Sequence, residues 1–153
     1  MTTLTIASAT AADTEALGAR LARSLPQLRL IYIRGPLGAG KTTLVRGVLR
    51  GVGYAGAVKS PTFTLVEPYE FSWGPLYHFD LYRLTSPAEV EFLALRDYLD
   101  ANSVCLVEWP ERAGGVLPEP DLDVMMQSDH NQGRNVQLQA YTPRGERALG
   151  ELR

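Results

Sequence analysis

The chain is poor in cysteine, in surplus positive charge and in long apolar runs. Its single cysteine, Cys105, excludes an internal disulfide and a cysteine-built metal cage, which fits a reducing compartment. Lys and Arg number 15 against 17 Asp and Glu, a net charge of −2. The basic surplus with which a free-standing nucleic-acid binder neutralises phosphates is therefore missing. No apolar stretch reaches the roughly 18 residues a membrane span needs, and Met1-Thr2-Thr3-Leu4-Thr5-Ile6 has no basic start. The expectation is a cytoplasmic protein with no signal peptide and no membrane association. Repeats and low-complexity linkers are also absent. The 153 residues suit one domain, 1–153, and the 45% hydrophobic and 21% charged content suits a globular chain, not a disordered one.

What is present is an α/β pattern. Leu4 to Ala7 reads as a short strand, followed by a helix capped by Thr10 or Asp13 and running through Ser24, with Leu17, Leu21 and Leu25 on one face. Leu28 to Ile33 and Ser103 to Val107 are nearly all apolar, as buried parallel strands are. Thr42 to Arg50 reads as a helix stopped by Gly51 and Gly53. Thr62 to Phe71 and Leu76 to Tyr82, split by Ser72-Trp73-Gly74-Pro75, read as a hairpin. Ser86-Pro87-Ala88-Glu89 is a capping box opening a helix to about Asp100. Strands are expected near Leu122 to Met126 and Val136 to Tyr141, around a turn with Asn131-Gln132-Gly133, and a short helix from Arg144. With Gly35 to Thr42 reading G-x-x-x-x-G-K-[ST] between a strand and a helix, the predicted fold is a three-layer α/β domain of the P-loop NTPase kind, with a mixed, mainly parallel sheet and antiparallel hairpin additions.

Gly35-Pro36-Leu37-Gly38-Ala39-Gly40-Lys41-Thr42 satisfies G-x-x-x-x-G-K-[ST] at every fixed position, between a strand and a helix. Glycines let backbone N–H groups turn inward around phosphate oxygens, and the helix that follows presents its positive end to them. Lys41 supplies charge to the outer phosphates, and the Thr42 hydroxyl is placed for Mg²⁺. Such a site needs a carboxylate from a second strand end. Glu108, after Val104-Cys105-Leu106-Val107, is the first candidate; Asp80, after Tyr77-His78-Phe79, is the second, with pairing to Arg83 as its plainer reading. Thr62 and Thr64 sit where a nucleotide-sensing loop belongs, or serve only as strand formers. Trp109 is either core or a partner anchor. His78, with no second His or Cys beside it, is not read as a metal ligand. No Asn/Thr-Lys-x-Asp element for guanine occurs, and Arg83 and Arg96 form no arginine lid. Hydrolysis or switching on ATP is therefore favoured, with a small P-loop kinase acting on a metabolite or protein as the alternative and a non-hydrolysing nucleotide module as a third reading.

Gly38-Ala39-Gly40-Lys41-Thr42-Thr43, Lys59-Ser60-Pro61-Thr62-Phe63-Thr64-Leu65-Val66, Tyr77-His78-Phe79-Asp80-Leu81-Tyr82-Arg83-Leu84 and Leu106-Val107-Glu108-Trp109-Pro110-Glu111 together resemble the TsaE (YjeE) family in order and spacing. The resemblance implies a slow, partner-controlled ATPase of tRNA threonylcarbamoyladenosine synthesis. It would dock on the TsaD–TsaB complex, reset it between rounds, and meet tRNA only through that complex. It also implies Mg²⁺ at Thr42 and Glu108, and hydrolysis needing Asp80, Glu108 and Lys41. ATP would be held by Gly35, Gly38, Ala39, Gly40, Lys41, Thr42 and Thr43, with Ala11, Gly133 and Arg134 at the adenine end. The group that activates water is left among Asp80, Glu108 and a partner residue.

Overall fold

Two apolar runs occupy the middle of the sheet. β2 (Leu30–Arg34) and β5 (Val104–Glu108) pair in parallel and are buried on both faces, as strands with helices on either side must be. The computed structural model describes residues 2–61, 65–84, 95–100, 102–115, 117–129 and 133–153. β4 (Gly74–Asp80) runs parallel to β5, and β6 (Leu122–Ser128) parallel to β2. β3 (Val66–Phe71) extends one edge as an antiparallel hairpin with β4. β7 (Arg134–Ala140) and β1 (Thr3–Ser8) extend the other, also antiparallel. The seven-stranded order is β1-β7-β6-β2-β5-β4-β3, a parallel centre with antiparallel additions at both edges.

Helices α1 (Ala11–Ala22), α2 (Lys41–Gly51) and α4 (Pro143–Leu152) cover one face. Leu17, Leu21, Leu44, Val48 and Leu149 from these helices meet Ile31, Ile33, Leu106, Val124 and Leu138 of the sheet. α3 (Leu95–Asp100) covers the opposite face, where Tyr98 meets Tyr77 and Phe79 edge-on. α1 stops at Ala22, short of the expected Ser24, because the amides of Arg23, Ser24 and Leu25 bond three residues back and tighten the end. The hairpin turn contracts to Ser72-Trp73, since Gly74 and Pro75 already pair as the first residues of β4. The expected capping box at Ser86 to Glu89, together with Thr62, Thr64, Asn131 and Gln132, lies outside the described residues.

α1 and α2 touch almost backbone to backbone. A Cβ on Gly47 would stand 2.1 Å from the Glu15 carbonyl oxygen, and one on Gly18 would stand 2.3 Å from that of Leu44. This contact fixes where the start of α1 lies relative to the glycine loop that leads into α2. At the far end of the sheet, Asp121 ties three segments: Oδ2 accepts the amides of Arg29 and Leu30 at 2.9 and 3.0 Å, and Oδ1 accepts the Thr142 hydroxyl at 2.7 Å.

Alanine in place of Gly47 would gain up to about 1 kcal/mol of helix propensity. Against this stands a backbone clash with no flexible side chain to yield, in a class of overpacking that costs about 1–3 kcal/mol or more. Gly47→Ala is therefore expected to lower the free energy of unfolding, measured by urea titration; a variant as stable as wild type would show that α1 can move aside.

Candidate nucleotide-binding site

β2 delivers the chain to Gly35, whose φ of 148° and close approach to the Met126 carbonyl oxygen, 2.5 Å from a would-be Cβ, leave no room for a side chain. Gly38 and Gly40 also take positive φ. α1 and α4 begin on threonine caps, with Thr10 Oγ1 accepting the Asp13 amide at 3.1 Å and Thr142 Oγ1 that of Gly145 at 3.2 Å. α2 follows Gly40 without any side-chain cap, so its first-turn N–H groups are left for another acceptor. From β7, Arg134 Nε and Nη2 donate to the carbonyls of Ala39 and Gly38, both at 2.8 Å. A planar trans peptide points its N–H opposite its C=O, so the amides of Gly40 and Ala39 face away from Arg134.

Strand register assembles the acidic half. Asp80 of β4 and Glu108 of β5 are direct neighbours in the parallel ladder, and Ile33 of β2 pairs with Glu108 from the other side. Side chains alternate along a strand, so His78, two residues before Asp80, shares its face. That face looks toward α2. Thr42 Oγ1 lies 3.5 Å from Glu108 Oε2, and His78 Nε2 lies 2.5 Å from the same oxygen. Asp80 Oδ1 accepts the Tyr82 amide at 3.0 Å. Lys41, Asp80, Glu108 and His78 are all buried.

Lys41 Nζ donates to the carbonyls of Gly35 and Pro36, both at 2.7 Å, and stands 4.6 Å from the centre of the Trp109 ring. Burial lowers its pKa, opposed by the nearby carboxylates of Glu108, Asp80 and Glu111. Burial raises the pKa of Asp80, opposed first by the Tyr82 amide, with the Glu108 charge adding to the rise.

Two cavities meet at the loop. One of about 360 Å³ is lined by Gly38, Gly40, Lys41, Thr42, Thr43, Ser60, Asp80, Glu108 and Trp109. The other, of about 190 Å³, shares Gly38, Gly40 and Thr43 and adds Ala11, Gly133 and Arg134 beside Ser8, Thr10 and Thr14. Of the expected site residues, Ala11, Gly38, Gly40, Lys41, Thr42, Thr43, Asp80, Glu108, Gly133 and Arg134 line this pair of cavities; Gly35 shapes the loop, Ala39 contributes the carbonyl that Arg134 holds, and Thr62 and Thr64 lie outside the described residues.

The family model described as "Threonylcarbamoyl adenosine biosynthesis protein TsaE" matches residues 8–136, most of the chain. The chain belongs to the TsaE family. It is 49% identical to the threonylcarbamoyladenosine biosynthesis protein TsaE of Haemophilus influenzae over 78% of this chain and 75% of that one. It is 37% identical to the TsaE of Bacillus subtilis over 80% and 77%. The crystal structure of Bacillus subtilis YdiB superposes with a TM-score of 0.83 at 30% identity, over 99% of this chain and 94% of that one. Among the described residues no helix is long and apolar enough to cross a membrane.

In this TsaE chain the sequence reading missed His78. It is not read as a metal ligand from the sequence, and its partner is a carboxylate on the neighbouring strand. The available signal was the His-x-Asp spacing on β4, which puts both side chains on one face. Trp109 is neither simple core nor free surface: it walls the cavity, half-buried, with Tyr82 at 4.8 Å between ring centres.

The raised Asp80 pKa has a stability consequence. In the folded chain the ionised form is penalised relative to the unfolded chain. The penalty is absent below the ordinary aspartate range and is complete once pH has risen through the raised folded value. Without nucleotide, Asp80→Asn is expected to melt above wild type near pH 7, with the gap closing as pH falls below the ordinary aspartate range. A gap of constant size across that range, read by thermal melts, would contradict the burial argument.

Proposed function

We propose that this TsaE chain is a slow, Mg²⁺-dependent ATPase that docks on a TsaD–TsaB complex and resets it during threonylcarbamoyladenosine synthesis, meeting tRNA only through that complex. The observation that carries the reading is the 3.5 Å approach of the Thr42 hydroxyl to the buried Glu108 carboxylate beside an uncapped helix start. A hydroxyl and a carboxylate are the hard oxygen donors that suit Mg²⁺, which takes few protein ligands and completes its shell with phosphate and water. Magnesium bound there would supply charge neutralisation at the outer phosphates.

The chain's own groups divide the remaining work. Gly38, Gly40 and the amides of Lys41, Thr42 and Thr43 cradle the phosphates, with Gly35 and Ala39 fixing the loop's path. Lys41 exchanges the Gly35 and Pro36 carbonyls for phosphate oxygens. Ala11, Gly133 and Arg134 bound the smaller cavity, at the base end. Asp80, whose burial raises its affinity for a proton, accepts one from the attacking water. The lack of positive surplus supports a protein partner over a bare RNA surface, and Leu37, 67% exposed in the phosphate loop, is an apolar contact suited to one.

Asp80→Asn is expected to keep ATP binding and lose about 10²–10⁴-fold in turnover, the usual range for one proton-transferring side chain. Capture of TsaD and TsaB from an ATP-containing extract, with a changed ATPase rate in the recovered complex, is expected for the wild type. Stoichiometric transfer of labelled phosphate to any acceptor other than water would replace this reading with the kinase alternative.

A further inference from the structure

We propose that His78 is a positioning residue that sets the orientation of the Glu108 carboxylate for its metal; the inference rests on Glu108 holding magnesium. Glu108 ends β5, and its terminal torsion is broad and roughly two-fold, so the strand alone does not fix the plane of the carboxylate. His78 does. Its Nε2 lies 2.5 Å from Glu108 Oε2, both side chains are buried, and the ring is fully enclosed. Carboxylates present only acceptors, so Nε2 carries the hydrogen. Nδ1 is buried and finds no partner among the described residues. Among the described residues the ring therefore gives its one polar contact to Glu108 and none to the backbone.

The cost of that orphan nitrogen is the argument for a role. Leaving a buried polar atom unsatisfied is destabilising, and an apolar residue of similar volume beneath Asp80 would avoid it. Against that cost stands one bond, to the carboxylate that faces Thr42 Oγ1. With one oxygen held by the ring, the group cannot rotate away from the threonine hydroxyl. Such outer-shell bonds to a ligating carboxylate are worth about 10–100-fold in metal affinity or activity.

The test compares wild type, His78→Gln, His78→Leu and Glu108→Ala by calorimetric titration with a non-hydrolysable ATP analogue, in magnesium and in EDTA. His78→Leu, which fills the space but donates nothing, is expected to bind the analogue in EDTA as wild type does and to lose about 10–100-fold of the gain that magnesium brings. His78→Gln, whose amide can still donate, is expected to recover most of that gain. A full magnesium gain in His78→Leu, with the gain lost in Glu108→Ala, overturns the role of His78 alone. A full gain in Glu108→Ala overturns the metal assignment and this inference with it. Should His78→Leu fail to fold, ¹⁵N-detected imidazole spectra of the wild type decide: hydrogen on Nε2, with a resonance that moves in Glu108→Gln, supports the proposal, and hydrogen on Nδ1 alone overturns it.

Discussion

A carboxylate buried at the end of an apolar strand organises this molecule. Glu108 follows Val104-Cys105-Leu106-Val107, all enclosed, and is itself only 3% exposed. Removing an ionised carboxylate from water costs several kcal/mol unless polar partners replace the hydration. The replacements come from two other places in the chain: His78 from β4, and the Thr42 hydroxyl with the Lys41 charge from the first turn of α2. Each can reach Glu108 only if β4 and β2 flank β5 in parallel, with their C-terminal ends level. The register provides this, pairing Asp80 and Ile33 with Glu108 from opposite sides.

The glycine loop before α2 is held by its carbonyls. Lys41 takes those of Gly35 and Pro36, and Arg134 takes those of Ala39 and Gly38. Four oxygens in a six-residue turn are thus spoken for, and the Ala39 amide adds a second bond to the Pro36 carbonyl at 3.1 Å. The two cations differ in what they can give up. Arg134 is a planar fork whose donors are shared among three carbonyls, those of Ala39, Gly38 and Gly133, a geometry suited to staying in place. Lys41 is a single ammonium on a flexible stem, so it can leave its carbonyl oxygens without dismantling the turn. The near-contact of α1 with α2 at Gly18 and Gly47 then keeps Ala11 and Thr43 on the walls of one cavity.

The parts legible in the sequence were those written in local pattern. The glycine spacing, the two apolar runs, and the carboxylates at strand ends all depend on neighbours a few residues away, and all appear in the fold. What was not legible depends on register or on distance. His78 acquires its meaning only when β4 is laid beside β5, because its partner is 30 residues away. Arg134, read as part of an adenine-side turn with Gly133, is the first residue of β7 and reaches the loop across 95 residues. Asp121 joins β2 to the start of α4 through main-chain amides and a hydroxyl, with no sequence mark beyond being an aspartate before a strand. Element ends moved by a few residues for reasons of hydrogen bonding that composition does not encode, as at Ala22 and Gly74.

Trp109 shows how the strand end is kept where the site needs it. Its φ of 58° is left-handed, a conformation that costs a bulky residue about 1–3 kcal/mol and persists only when its surroundings demand it. The surroundings here are specific. Its amide bonds to the Ile33 carbonyl at 3.3 Å, which extends the ladder one step past Glu108. Its ring lies between Lys41 at 4.6 Å, the Arg112 guanidinium at 5.6 Å and Tyr82 at 4.8 Å. The left-handed residue turns the chain at once into the short 3₁₀ turn Pro110–Ala113, whose first residue, proline, could not continue the ladder. A residue with ordinary β geometry at this position would carry the strand onward over the cavity mouth. The strain at Trp109 is thus the counterpart of Glu108 being the last residue of its strand, and the cation contacts of the indole help to offset it.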